Sequence, residues 1–115
     1  MKVIIAGGRY FYDYEKLCQY CDKVLQNQFN IEIVSGGAKG ADSLGEKYAK
    51  ERNFEMVRFP AAWSKFGRRA GVIRNAEMAN YATILIAFWD GKSRGTKSMI
   101  NLAKRNGLII YVCYY

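Results

Sequence analysis

The chain has 115 residues, half of them hydrophobic, and a net charge of +8 from 18 basic and 10 acidic side chains. That length suits a single domain, residues 1–115, burying about two-thirds of its unfolded surface, and the composition excludes disorder and collagen-like repeats. The absence of histidine excludes the Ser-His-Asp arrangement and every His-containing zinc site, and the charge balance favours an anionic partner.

Lys2 to Ala6 is a short β-rich run that stops at Gly7-Gly8, and it reads as the first strand. Leu17, Cys21, Val24, Leu25 and Phe29 recur at helical spacing, so a helix is expected over Tyr14 to Phe29 with Asp13 as its cap. Ile31 to Val34 reads as strand two, closed by Gly36 and Gly37. A helix is expected over Ala41 to Arg52, with Leu44, Tyr48 and Ala49 on its apolar side, then a strand over Glu55 to Phe59 that Pro60 stops. Ala61 to Gly71 reads as irregular, followed by a helix from Val72 to Tyr81. Thr83 to Trp89 is nearly all apolar, as a parallel strand buried on both faces should be. A last helix is expected over Thr96 to Arg105, stopped at Asn106-Gly107, and a fifth strand over Leu108 to Val112.

Strands alternating with helices call for an α/β, Rossmann-like three-layer sandwich around a five-stranded parallel sheet. Right-handed crossovers make 3-2-1-4-5 the natural strand order. Val3 to Ala6 is too short for a signal-peptide core, and no apolar run reaches the ~20 residues of a membrane span, so a cytoplasmic protein is expected. Three cysteines make no disulfide framework, and Cys18 and Cys21, both inside a helix, read as core packing. No metal site is expected, and no cofactor: the Walker A pattern is absent and so is GxGxxG after strand one.

In such sheets ligands bind beyond the C-terminal strand ends, where strand order reverses. Three glycine-bearing loops fall there: Gly7-Gly8-Arg9, then Ser35 to Asp42 with Gly36, Gly37, Lys39 and Gly40, and Asp90-Gly91-Lys92-Ser93-Arg94-Gly95-Thr96. Glycines bring backbone N–H groups close to a ligand, and a helix N-terminus adds free donors and partial positive charge, so the loops read as phosphate cradles. Half of the 18 basic residues lie in or beside them: Arg9, Lys39, Lys65, Arg68, Arg69, Arg74, Lys92, Arg94 and Lys97. Asp42 either caps the second helix or meets a ribose hydroxyl. Glu46, one turn later, faces either the pocket or solvent. Asp90 either approaches the site or stabilises its own turn, and Glu77 either serves the site or pairs with Arg74 three residues away. Trp63 and Trp89 either stack on a base or join the core.

Five segments carry a resemblance: AGGRYFYDY (6–14), IVSGGAKGADSLGEKYAKE (33–51), FPAAW (59–63), AGVIRNAEM (70–78) and IAFWDGKSRGTKSMI (86–100). The chain resembles the SLOG superfamily, the Rossmann-like group named for DNA-processing protein A and the plant LOG enzymes, and within it the short YspA-like branch of bacteria and phages. The resemblance implies that these loops hold a nucleotide or nucleotide derivative. Ser35, Gly36, Gly37, Lys39, Gly40 and Asp42 would line one wall. Arg74 is similar to the arginine of the LOG RKxxM motif, and Gly91, Gly95 and Thr96 to the LOG PGGxGTxxE loop. Met99 stands where that motif carries its catalytic glutamate, so a hydrolase would need Asp42, Glu46, Glu77 or Asp90 instead.

The leading expectation is therefore binding of a phosphate-containing, nucleotide-derived ligand, in sensing or sequestration. The alternatives are N-glycosidic hydrolysis of a nucleotide, or binding of single-stranded nucleic acid with Tyr10, Trp63, Phe66 and Trp89 as stacking groups. The resemblance also implies a dimer or higher homo-oligomer. A helix face around Met78, Met99 and Leu102 would supply either an interface or core, and the apolar Tyr111 to Tyr115 would pack on the fold or on a neighbour.

Overall fold

In the computed structural model, which describes residues 1–115, five parallel strands form one sheet in the order β3-β2-β1-β4-β5. The strands are β1 (Lys2–Gly7), β2 (Glu32–Ser35), β3 (Glu55–Arg58), β4 (Ile84–Trp89) and β5 (Ile109–Tyr114). The helices are α1 (Tyr14–Leu25), α2 (Ala41–Glu51), the single turn α3 (Trp63–Phe66), α4 (Ala70–Tyr81) and α5 (Arg94–Arg105). The expected architecture and strand order are both observed.

Alternation along the central strands builds the two halves of the core. Val3 and Ile5 of β1, with Ile84, Ile86 and Phe88 of β4, pack beneath α1 and α2. Ile4 and Ala6, with Leu85 and Ala87, pack beneath α4 and α5. β1 and β4 pair in register from Val3 opposite Ile84 to Gly7 opposite Phe88, so both strands are covered on both faces. That accounts for the nearly unbroken apolar run of β4. No helix is long and apolar enough to cross a membrane.

Asp13 caps α1 as expected, accepting from the Lys16 amide at 3.1 Å. The helix ends at Leu25, however, short of Phe29, because Asn27 and Asn30 turn left-handed at φ 65° and 55°. Asparagine tolerates that region better than other side chains do. Phe29 is consequently 80% exposed instead of completing the apolar stripe. The segment read as irregular contains α3 and a 3-10 turn at Gly67–Arg69, and α4 begins at Ala70. β5 runs on to Tyr114, pairing Cys113 with Phe88 and Tyr114 with Trp89. Cys18, Cys21 and Cys113 are free thiols, and burial pushes the Cys21 thiol up.

Met78 and Met99 are fully buried between α4, α5 and the sheet. The face around them is core, so it offers no interface. On the opposite side Tyr48 is buried and donates to Asp22 at 2.6 Å, while Arg52 grips the same carboxylate through Nε at 3.1 Å and a terminal nitrogen at 2.8 Å. These bonds tie α2 to α1.

Candidate functional site

The C-terminal ends of β1, β2 and β4 carry the three glycine-bearing loops. The first two are locked together through backbone. The Gly8 carbonyl accepts from Phe11 N and from Ala41 N, the latter at 3.1 Å, and Gly8 N donates to the Phe88 carbonyl. Gly40, at φ 77°, sits so close that a Cβ there would overlap the Gly8 carbonyl. Glycine is therefore required at Gly40 on two counts, conformation and space. The contact seats the start of α2 directly behind the β1 loop.

The second loop is braced from both sides. Ser35 Oγ donates to Glu46 at 2.7 Å and accepts from Gly37 N at 3.0 Å. Arg58, at the end of β3, clamps Glu46 from Nε at 2.9 Å and from a terminal nitrogen at 2.5 Å. Burial pushes the Glu46 carboxyl up, but the Arg58 and Ser35 hydrogen bonds outweigh it and hold the group below its usual range. Glu46 is thus committed to the loop framework. Arg58, not anticipated from sequence, lies along Gly37, where a Cβ would come 2.9 Å from its stem.

Arg74 reaches back from α4 to the same loop. Its guanidinium donates to the Gly36 carbonyl and, through Nε, to Asn75 Oδ1 at 2.8 Å. The alternative pairing with Glu77 does not form, and Glu77 is exposed on α4. Asp42 lies on the other side of Gly36: a Cβ on that glycine would sit 2.7 Å from Arg74 and 2.8 Å from an Asp42 oxygen. Asp42 is only 6% exposed and accepts from Ala38 N at 3.2 Å. Gly40, not Asp42, is the N-cap of α2. Burial pushes the Asp42 carboxyl up to about 6, against the pull of the Ala38 N–H, Arg74 and Arg9. This is a buried acid poised near neutrality, with the Arg74 guanidinium across Gly36 from it and no ion pair formed.

The third loop is self-contained. Asp90 Oδ1 accepts from Lys92 N and Ser93 N, both at 2.8 Å, and these two bonds, that from Ser93 first, hold the carboxyl below its usual range. Of its two readings, the turn-stabilising one is observed. Ser93 caps α5, and the buried Thr96 hydroxyl donates to Ser93 Oγ at 3.2 Å. Trp89 donates to the Ser93 carbonyl at 3.0 Å and packs into the core, so it is no free stacking platform. Gly91, Lys92, Arg94 and Gly95 stand exposed on this loop.

The geometry brings Gly7, Gly8, Ser35, Gly36, Gly37, Gly40, Asp42 and Arg74 into one contiguous cluster, with Arg9 and Lys39 exposed at its rim. The third loop stands beside it with no side-chain bond to it. Tyr115 was not anticipated there either. Its ring packs on Phe11 at 4.8 Å and its hydroxyl rests against Gly8. Beyond the cluster, every residue from Ala62 to Arg69 is exposed, Trp63 to 54%, and Tyr10 on the β1 loop to 86%.

A parallel 3-2-1-4-5 sheet with glycine loops at its reversal point defines a Rossmann-like α/β protein. The chain belongs to the YspA, cpYpsA-related SLOG family, whose pattern its residues 1–66 match. It is 30% identical over 114 residues to the gene 61 protein of Mycobacterium phage D29, covering 93% of this chain and 91% of that one. Its fold is similar to that in the X-ray structure of DNA processing protein A from Streptococcus pneumoniae, at a TM-score of 0.77 and 18% identity. That match covers 96% of this chain but 49% of the other, so the chain spans about half the length of that structure.

Proposed function

We propose that the C-terminal edge binds nucleoside phosphates, and that its ligand is a single-stranded nucleic acid lying across the edge. The observation that carries this reading is the exposed rim beside the glycine cluster. Tyr10, Tyr12, Trp63 and Phe66 all present apolar ring to solvent, interleaved with Arg9, Lys65, Arg68 and Arg69. Aromatic platforms alternating with cations are what stacked bases and their phosphates require. Two cavities, of about 410 and 550 Å³, are lined by residues 28–31 with 53–55, and by Ser43, Glu46, Lys47, Ala49 and Lys50 of α2 with Phe54 and Met56. No residue of the glycine loops lines either one, although Glu46 of the second braces Ser35. The similarity of fold to a DNA processing protein supports the reading. Within the cluster, Arg74 and Lys39 supply charge for one phosphate, and the N–H groups of the glycine loops supply donors.

The test is fluorescence anisotropy of a labelled oligothymidylate against calorimetry with nucleoside monophosphates, each across a salt series. The oligonucleotide is expected to bind more tightly, with log affinity falling by ~0.7 per phosphate neutralised for each unit of log salt. Tighter binding of a mononucleotide with a flat salt dependence would instead favour the enclosed-ligand reading, sensing or sequestration of a small nucleotide derivative.

Asp42 supports a second reading. A buried carboxyl near 6 beside Arg74 is the type of group an N-glycosidic hydrolase uses for proton transfer. Against it, the buried Met99 occupies the position where the LOG motif carries its glutamate. Release of free base from a nucleoside monophosphate, abolished in Asp42→Asn, is the result that would establish turnover.

A further inference from the structure

Tyr115 reaches the glycine cluster from the end of β5, a strand that carries none of its loops. The Tyr115 amide donates to the Trp89 carbonyl, which sets the residue beside the end of β4. From there the side chain crosses toward β1. Its ring packs on the buried Phe11 with centroids 4.8 Å apart, and Phe11 in turn stacks on Phe88. The tip ends at Gly8, where a Cβ would come 1.9 Å from the phenolic oxygen. The hydroxyl therefore lies at the junction of β1 and β4, the reversal point of the sheet.

That hydroxyl bonds to no group of the chain. Other phenols do: Tyr14 donates to Glu51, Tyr48 to Asp22 and Tyr81 to Glu32. Packing does not account for the oxygen, because a phenylalanine ring would cover Phe11 equally well. Two backbone donors of the β1 loop are also unspent. Gly8 N and Phe11 N donate to the Phe88 and Gly8 carbonyls, whereas Arg9 N and Tyr10 N, between them, donate to nothing. Successive free N–H groups in a turn are a common seat for an anion, and the exposed Arg9 side chain adds a full positive charge to the same loop. Burial, and then the Asp90 carboxylate, push the Tyr115 phenol up, so it stays a proton donor at neutral pH. Asp90 itself is occupied by Lys92 N and Ser93 N.

We propose that the Tyr115 hydroxyl is a ligand contact, donating a hydrogen bond to a phosphate oxygen of the nucleotide unit seated on the β1 loop. This contact rests on the reading of the edge as a nucleoside-phosphate site, and it adds to that site a residue from outside the three loops. The chemistry around the hydroxyl selects phosphate over base. The phenol, the Arg9 and Tyr10 amides and the Arg9 guanidinium are all donors, and two of these four groups belong to one cationic residue. The Gly8 carbonyl, which could have accepted from a base, already accepts from Phe11 N and Ala41 N. A hydrogen bond from such a donor to an ionised oxygen is among the stronger kinds.

Calorimetry with thymidine monophosphate and with thymidine, on the full chain and on Tyr115→Phe, tests this. The variant is expected to bind the monophosphate about tenfold more weakly, or worse, and to treat thymidine as the parent does. Its melting temperature should match the parent's, since the ring keeps its place on Phe11 and the hydroxyl has no partner in the chain to lose. Tyr111→Phe, which removes an exposed hydroxyl from β5, should bind both probes normally. Amide resonances separate this contact from the reading beneath it. Thymidine monophosphate should shift Arg9 and Tyr10 together with Gly36 and Gly37. Where those amides shift but Tyr115→Phe binds the monophosphate as tightly as the parent, the hydroxyl contact is overturned and the nucleotide site stands. Where no amide of the glycine loops shifts with the monophosphate or with oligothymidylate, both are overturned. Equal weakening toward thymidine would put the hydroxyl on sugar or base and overturn the phosphate contact.

Discussion

Arg74 on α4 donates its guanidinium to the carbonyl of Gly36, 38 residues earlier in the chain, and so fastens the second helix layer to the glycine loop of β2. Hydrogen bonds from charged donors are worth ~1.5–3 kcal/mol. Arg74→Ala is expected to lower stability by about that amount in urea titration and to weaken nucleotide or oligonucleotide binding by roughly tenfold. Arg74→Lys should recover little of either, because an ammonium cannot bond Gly36 and Asn75 with one planar group. Full binding by Arg74→Ala would remove this residue from the site.

Asp42 should make the protein less stable as pH rises. Its folded value, about 6, lies above the ordinary aspartate value of 3.8, so folding favours the protonated form. That contribution is complete below the unfolded value and is lost as pH climbs through 6. Asp42→Asn keeps an acceptor for Ala38 N without the buried charge. The variant is expected to be more stable than the parent at pH 7.5 by ~1–3 kcal/mol, and equal to it near pH 4. Urea midpoints at the two pH values measure this, and equal destabilisation at both would contradict it.

Asp22 works in the opposite direction. Hydrogen bonds from Arg52 and then Tyr48 hold its carboxyl below the usual range despite burial. Its contribution is present above the unfolded value and is lost as pH falls through the lower folded one. In Asp22→Asn the acid limb of the stability profile should flatten, and the midpoint at pH 7 should fall. Tyr48→Phe should shift the same limb less, since Arg52 remains in place.

Two glycines with similar φ should respond differently to alanine. Gly40, at φ 77°, has no room for a Cβ against Gly8, whereas Gly91, at φ 83°, has nothing within 4 Å. Gly91→Ala should cost only about 1 kcal/mol of left-handed strain. Gly40→Ala should cost ~3 kcal/mol or more, because backbone must move as well. Thermal melts of the pair measure the two costs, and equal costs would mean that crowding against Gly8 plays no part.

The rim can be removed without disturbing the core, since Trp63, Lys65, Arg68 and Arg69 are all exposed. Trp63→Ala should cost ~1–3 kcal/mol of oligonucleotide affinity through reduced stacking. Joint replacement of Arg68 and Arg69 by alanine should make the salt slope shallower by ~0.7 for each phosphate no longer neutralised. Melting temperatures should be unchanged in both variants.

Strand order was legible because each β-rich run ends at glycine, proline or polar turn residues and each helix keeps an apolar stripe. β4 announced itself as central by its lack of polar residues. The end of α1 was not legible, since Val24, Leu25 and Phe29 continue the helical spacing while Asn27 turns the backbone away. Met78 and Met99 matched core and interface patterns equally, and only their position between α4, α5 and the sheet separates the two. The glycine loops could be located, but not their bracing. Arg58 meets Glu46 and Arg74 meets Gly36 through tertiary proximity, which leaves no local signature. Trp89 was ambiguous until its bond to Ser93 placed it in the framework of the third loop.

The pairing of β1 with β4 also sets when the molecule can take shape. Lys2 and Thr83, at the foot of this central pair, are 81 residues apart, and every strand pair in the sheet is parallel. No hairpin is available to start the sheet, and its middle closes only once most of the chain has emerged from the ribosome. Long loops must be ordered before their contacts repay the entropy, so refolding from urea is expected in the millisecond-to-second range. Until then the apolar β1 is left without β4, its main neighbour, which makes the nascent chain most vulnerable to aggregation before β4 arrives.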